Sequence, residues 1–187
     1  VHTVLQGAWA AVLSRHSGTD DICWGTILSG RTDAVPDIDR MVGLVIATVP
    51  VRVRVDAEAT LGDWLGTVHS TLVDARRAEN AGLGQTRKQA PLARTTPLFE
   101  TMFQYVDNRQ TPETGDSEGA GLDLRISRAR EQTGYPLDLT VAARGGGLVL
   151  HLCYEPARVD RGEAEHFLAS YEQLLLAMAA RPEARLR

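Results

Sequence analysis

Along this chain the apolar residues switch their spacing from three-and-four to two and back again, and that order limits the fold more than any other feature. Val1, Val4, Leu5, Ala8, Val12 and Leu13 lie on one side of a helix, and Gly18 is its natural stop. Ile22 to Leu28 is a short apolar run that reads as a buried strand. A polar loop from Ser29 to Arg40 follows, then a β-prone run from Met41 to Val55 whose tail alternates Val with Arg. Thr60 and Asp63 have the spacing of a helix start, and Leu61, Trp64, Leu65, Val68 and Leu72 form the stripe behind it.

The second half repeats the switch. Asn80 to Thr96 is polar and irregular, Leu98 to Val106 reads as a strand, and Asp107 to Gly121 lacks any apolar period, as a surface loop would. Leu122, Leu124 and Ile126 alternate. Leu137 to Ala143 and Leu148 to Tyr154 flank an Arg-Gly-Gly-Gly segment, the signal of a hairpin. Asp160 and Glu163 then open a last helix, striped by Ala164, Phe167, Leu168, Tyr171, Leu174, Leu175 and Met178 and closed before Pro182. Helix, strands, helix, strands, helix predicts an α/β fold: a mixed or antiparallel sheet with three helices packed on it, and right-handed crossovers between parallel neighbours. There is no internal repeat.

Composition removes several classes of function. With 187 residues, a net charge of -4 and a pI near 5.7, the chain lacks the basic surplus that nucleic acid demands. No apolar run approaches the ~20 residues that span a bilayer, and no signal peptide is visible, so a cytoplasmic setting without a membrane partner is expected. Cys23 and Cys153 sit in apolar runs and read as small hydrophobes. The chain opens on Val1, already within a helical pattern, as a piece of a longer polypeptide would.

Catalytic motifs are missing. The sequence holds no Gly-rich phosphate loop, no Gly-x-Ser-x-Gly elbow, no His-Glu-x-x-His and no Cys-x-x-Cys. Its histidines, His2, His16, His69, His151 and His166, are far apart in sequence, and each is expected to face solvent or to be hydrogen-bonded in place. His151 alternates with Leu150 and Leu152 and so points away from their face. Catalytic and metal-ligating residues are therefore both predicted as none.

Four segments, in order, resemble the second half of the condensation domains of nonribosomal peptide synthetases. Residues 3–18 (TVLQGAWAAVLSRHSG) with 21–31 (DICWGTILSGR) resemble the helix–strand unit that opens the C-terminal lobe of such domains. Residues 41–50 (MVGLVIATVP) followed by Arg52 are similar to the family's Val-Gly-x-Phe-Ile-Asn-Thr-Leu-Pro-x-Arg motif. Residues 94–99 (RTTPLF) are similar to Arg-x-x-Pro-Leu-Phe. Residues 133–139 (TGYPLDL), 154–160 (YEPARVD) and the last helix resemble the family's ending. The resemblance makes residues 1–180 the lobe and 181–187 the start of a linker toward an adenylation domain.

What the resemblance implies is a chloramphenicol-acetyltransferase-like lobe, half of a V-shaped domain that joins two thioesters into an amide. No cofactor is bound directly; peptidyl carrier proteins bring the substrates on phosphopantetheine arms. The implied partners are an N-terminal condensation lobe, a peptidyl carrier protein and an adjacent adenylation domain. The family's His-His-x-x-x-Asp-Gly motif belongs to the N-terminal lobe and is absent from these residues, so the lobe alone is expected to be inactive. Its expected contribution is tunnel wall: Ser29, Gly30 and Arg31 at a strand end, Gly43, Leu44, Ala47 and Thr48 near the reaction centre, and Gln104 on a lining strand. Plainer readings stand beside these, with Gly30 a turn residue, Arg31 a surface charge and Gly43 a bulge. Ala47 replaces the motif's Asn and Val45 its Phe, and residues 80–91 fit the family poorly. Those departures suit the alternative of a truncated, non-catalytic lobe serving as a platform beside an adenylation or carrier domain.

Overall fold

The computed structural model describes residues 1–31, 35–93, 95–107 and 133–186. Helix α1 (His2–Ser17) is more than amphipathic: every residue from Leu5 to Leu13 is buried. A helix dry on all sides must be surrounded, and α1 lies against strand β1 (Asp21–Leu28), helix α2 (Leu61–Arg77) and helix α4 (Arg161–Ala180). It ends where Gly18 turns left-handed (φ 70°) and its N–H reaches the Ser14 carbonyl at 3.0 Å.

Burial all round forces a solution for Gln6, which is fully buried within α1. Its carbonyl oxygen accepts from the Trp24 indole N–H at 2.8 Å, and its amide nitrogen lies 3.0 Å from Nε2 of His2. Tyr171, also buried, donates its hydroxyl to the Leu5 carbonyl at 3.0 Å. These bonds tie α1 to β1 and α4 by polar contacts inside an apolar core, where an unmet partner would cost about 1–3 kcal/mol.

The caps fall where the sequence places them. Thr60 accepts from the Asp63 N–H at 3.2 Å to start α2. At α4 the box is reciprocal: Asp160 accepts from the Glu163 N–H at 2.8 Å, and Glu163 accepts from the Asp160 N–H at 3.0 Å.

Strands β2 (Ala47–Arg54), β3 (Thr101–Asp107), β4 (Leu137–Arg144) and β5 (Gly147–Tyr154) join β1 in a five-stranded sheet of order β2-β1-β3-β4-β5. The central pairs β1–β3 and β3–β4 are parallel, and the outer pairs β1–β2 and β4–β5 are antiparallel. The expected mixed α/β sheet is therefore the fold. The β4–β5 turn has two residues, Gly145 (φ 57°) and Gly146 (φ 81°), the positive pair that matches strand twist in a tight hairpin.

Three boundaries differ from expectation. The run from Met41 to Val55 is not one strand: β2 begins at Ala47, opposite Leu28, because β1 ends there and offers residues 41–46 no ladder partner. The stretch after Asn80 is not wholly irregular, since a 3-10 turn (Glu79–Ala81) leads to a short helix α3 (Leu83–Gln89). No residue of α3 is buried, so there was no apolar stripe to read. Strand β3 starts at Thr101 rather than Leu98; Phe99 instead stacks on Tyr135 with ring centroids 5.2 Å apart. The expected alternation at Leu122, Leu124 and Ile126 lies outside the described residues, as does the predicted surface loop after Asp107.

Candidate substrate-facing surface

Strand alternation sorts the sheet into two faces. One face carries Val49, Val51 and Val53, Ile22, Trp24 and Thr26, Phe103, and Leu139 and Val141, all buried in the core beneath the helices. The other face holds their sequence neighbours. The ladders place Thr48 opposite Ile27, Gln104 opposite Thr140, and Thr140 opposite His151. Since Thr26 pairs with Phe103, Ile27 falls beside Gln104, and the row Thr48, Ile27, Gln104, Thr140, His151 crosses the whole sheet.

This row is polar at the middle of the sheet, where burial is only partial: Thr48, Ile27, Gln104 and Thr140 are half-buried and His151 is exposed. The carboxamide of Gln104 and the hydroxyl of Thr140 have no hydrogen-bond partner among the described residues, whereas His151 Nδ1 lies 3.8 Å from the Cys153 sulfur. Among the described residues, Gln104 and Thr140 thus present donors and acceptors side by side with no protein partner to satisfy them. The floor beside them is closed: at Gly25 a Cβ would collide with Phe99 and Met102, so only glycine lets those side chains settle over β1.

At one end of this face the chain between β1 and β2 is held by a clamp. Gly30 takes a positive φ of 64°, and an added Cβ would overlap the Val45 carbonyl oxygen, so the position excludes every side chain. Arg31 donates from Nη1 to the Ile38 carbonyl and from Nη2 to the Met41 carbonyl at 3.2 Å. The Ser29 hydroxyl accepts from the Arg31 N–H at 3.4 Å. Ser29, Gly30 and Arg31 therefore fix the shape of the loop. The loop in turn shows its apolar side chains to solvent: Val42 is fully exposed, Leu44 is 90% exposed, and Met41 and Ile46 are exposed as well.

The expected lining residues do not all share one surface. Ser29, Gly30 and Arg31 form the clamp; Gly43 and Leu44 lie on the exposed loop, with open space around Gly43. Thr48 and Gln104 belong to the open row. Ala47, by alternation, lies on the helix side with Val49, so an Asn there would point its amide away from the row. Sequence reading missed Thr140. The hairpin could have revealed it, because a two-residue turn at Gly145 and Gly146 sets Thr140 opposite His151.

Asp21 accepts two bonds from Arg52, at 2.8 and 2.6 Å, which hold its carboxyl below the usual carboxylate range. Burial pushes the Cys23 thiol up to about 11, so it remains protonated at neutral pH. Among the described residues no cluster of three His, Cys, Asp or Glu could hold a metal, and no helix is long and apolar enough to cross a membrane.

Comparison with known proteins follows the same lines. A family model described as Condensation domain matches residues 1–187. One of the linear gramicidin synthase proteins of Brevibacillus parabrevis is 36% identical over 187 residues, which is 100% of this chain and 2% of that protein. The condensation domain from the monacolin K polyketide synthase MokA superposes with a TM-score of 0.77 at 20% identity, over 99% of this chain and 42% of its own. The X-domain solved in complex with OxyB from teicoplanin biosynthesis gives a TM-score of 0.78 at 21% identity, over 98% and 41%. At such identities the structural likeness establishes the fold. The chain thus spans a small part of its curated relative and about two-fifths of each solved chain, in the C-terminal part.

Proposed function

Because this chain belongs to the condensation-domain family, we propose that it is the C-terminal half of a domain that forms amide bonds in nonribosomal peptide synthesis. Its substrates are two thioesters on the phosphopantetheine arms of carrier proteins. The acceptor amine attacks the donor carbonyl, a C–N bond forms, the C–S bond breaks, and the amine proton passes to the departing thiol. The open row Thr48, Gln104, Thr140 and His151 is the observation that carries this reading. Among the described residues the Gln104 carboxamide and the Thr140 hydroxyl have no partner, and such groups on a half-buried sheet face suit an amide-rich chain lying along it.

In this reading no residue of the lobe is the general base. His2 and His69 are engaged with Gln6 and Thr3, His16 and His166 lie together on the helix side, and His151 sits at the outer strand. The base comes from an N-terminal lobe, which packs on the open face and the exposed loop Met41–Ile46; a carrier protein and an adenylation domain complete the assembly. A second reading, a non-catalytic platform, rests on Ala47 in place of the motif's Asn. The X-domain seen in complex with OxyB shares this fold.

The test is to join the chain to an N-terminal condensation lobe carrying His-His-x-x-x-Asp-Gly and to supply aminoacyl carrier proteins. Mass spectrometry of the acceptor carrier should show a dipeptidyl arm, with none formed by the 187-residue chain alone. Absence of product in the joined protein, with product appearing in Ala47→Asn, would favour the platform.

A further inference from the structure

The sheet has two edges, β2 and β5, and in an antiparallel ladder every second residue turns its backbone groups outward. On β2 the Val55 N–H reaches the Asp20 carbonyl at 2.7 Å, in register with the β1–β2 ladder. Val49, Val51 and Val53 therefore bond inward to β1, and Thr48, Pro50, Arg52 and Arg54 face out. Pro50 has no N–H to offer, and Arg52 and Arg54 carry exposed guanidinium groups that an added strand would bury. Proline and charge at outward positions close a sheet edge to further strands.

Strand β5 is built the opposite way. The Glu155 N–H reaches the Pro136 carbonyl at 3.0 Å, in register with the β4–β5 ladder. The two-residue turn gives the same parity, because it makes Arg144 and Gly147 a hydrogen-bonded pair. Gly147, Val149, His151 and Cys153 thus bond inward to β4. Leu148, Leu150, Leu152 and Tyr154 turn their N–H and C=O groups outward, and among the described residues no strand receives them. All four keep their N–H, and β5 (GLVLHLCY) contains no Asp, Glu, Lys, Arg or Pro. Its side chains are uncovered near the turn: Leu148 is 45% and Val149 51% exposed.

We propose that β5 is a strand-pairing edge whose partner is β5 of a second copy of this chain, joined antiparallel about a two-fold axis. The edge is self-complementary. With the axis at Leu150, Leu148 of one copy lies opposite Leu152 of the other on the helix side, and Val149 lies opposite His151 on the open side, so no like charges meet. The two five-stranded sheets become one, and both of its remaining edges are β2, which is closed. Pairing therefore stops at two copies and does not run on into a fibre. The edge lies four strand spacings, about 19 Å, from β2, and its use does not depend on the polar row or on catalysis.

Sedimentation velocity of the 187-residue chain over about 1–100 μM should show a monomer of 20.3 kDa giving way to a species of twice that mass. Leu148→Pro removes one outward N–H without touching the β4 ladder, as Pro50 does on β2, and Leu148→Lys adds a charge at the same exposed position. Each should weaken the dimer at least tenfold; the lysine variant decides if the proline variant does not fold. Leu44→Lys, in the exposed β1–β2 loop, should leave the dimer intact. In hydrogen exchange the amides of Leu150 and Leu152 should slow as concentration rises, while those of Val149 and His151, bonded to β4, are slow throughout. The proposal is overturned if the chain stays monomeric, if the dimer survives Leu148→Lys or is lost in Leu44→Lys, or if Leu150 and Leu152 exchange alike in monomer and dimer. A monomer whose Leu150 and Leu152 amides become protected only on joining to an N-terminal lobe would also overturn it, and would assign the edge to that lobe.

Discussion

His2 shows how a single side chain near the chain's start can govern the pH response of the fold. It lies against Phe103 and Tyr105 and meets the Gln6 amide, and burial, then Arg76, lower its pKa from 6.5. His16 is lowered as well. The unfolded chain therefore binds protons on these rings at a higher pH than the folded chain does. Stability is complete above about pH 6.5 and falls as pH drops below it, until the folded rings protonate too. Asp21, held low by Arg52, stays ionised throughout that window. Thermal melts should give a lower Tm at about pH 5.5 than at about pH 7.5, and His2→Gln should shrink the difference. An equal or higher Tm at the lower pH would contradict this account. The sequence showed His2 only as a lone histidine; its burial depends on β3, a hundred residues away, which local patterning does not report.

At the scale of elements, what could be read from sequence follows a physical rule. Helices α2 and α4 and the β4–β5 hairpin carry their own signals: caps at Thr60 and Asp160, and paired glycines at the turn. The β1–β2 connection carries none, because its shape comes from tertiary contacts. Apolar residues 41–46 look like a strand by composition, yet they have no ladder partner and are shaped by Gly30 and Arg31 instead. Gly30→Ala must move the Val45 carbonyl or leave the left-handed region, at a cost of about 1–3 kcal/mol. Hydrogen exchange should then speed up across residues 35–46 while β4 and β5 keep their protection. Arg31→Ala should give the same pattern more weakly. Unchanged exchange in the loop would show that the clamp does not hold it. The candidate site was legible to the same degree: the Ser29–Arg31 clamp and Gln104 stood out through family resemblance, whereas Thr140 required the ladder.

Among the described residues the molecule is one-sided: helices α1, α2 and α4 and the core occupy one face of the sheet, while the other presents a polar row beside an exposed apolar loop. Exposed apolar surface beside polar residues marks an interaction site. That asymmetry fits a chain that spans about two-fifths of its structural neighbours and matches their C-terminal part. The central claim, that the open row is the surface along which carrier-bound substrates meet, is tested most directly by filling it. In the joined two-lobe protein, Thr140→Trp places a bulky ring between Gln104 and His151 without touching the helix-side core. The rate of dipeptidyl-carrier formation should fall at least tenfold, with the Tm and carrier loading unchanged and Arg161→Ala, on the helix side, as the silent control. Full activity in Thr140→Trp would mean that the substrates pass elsewhere.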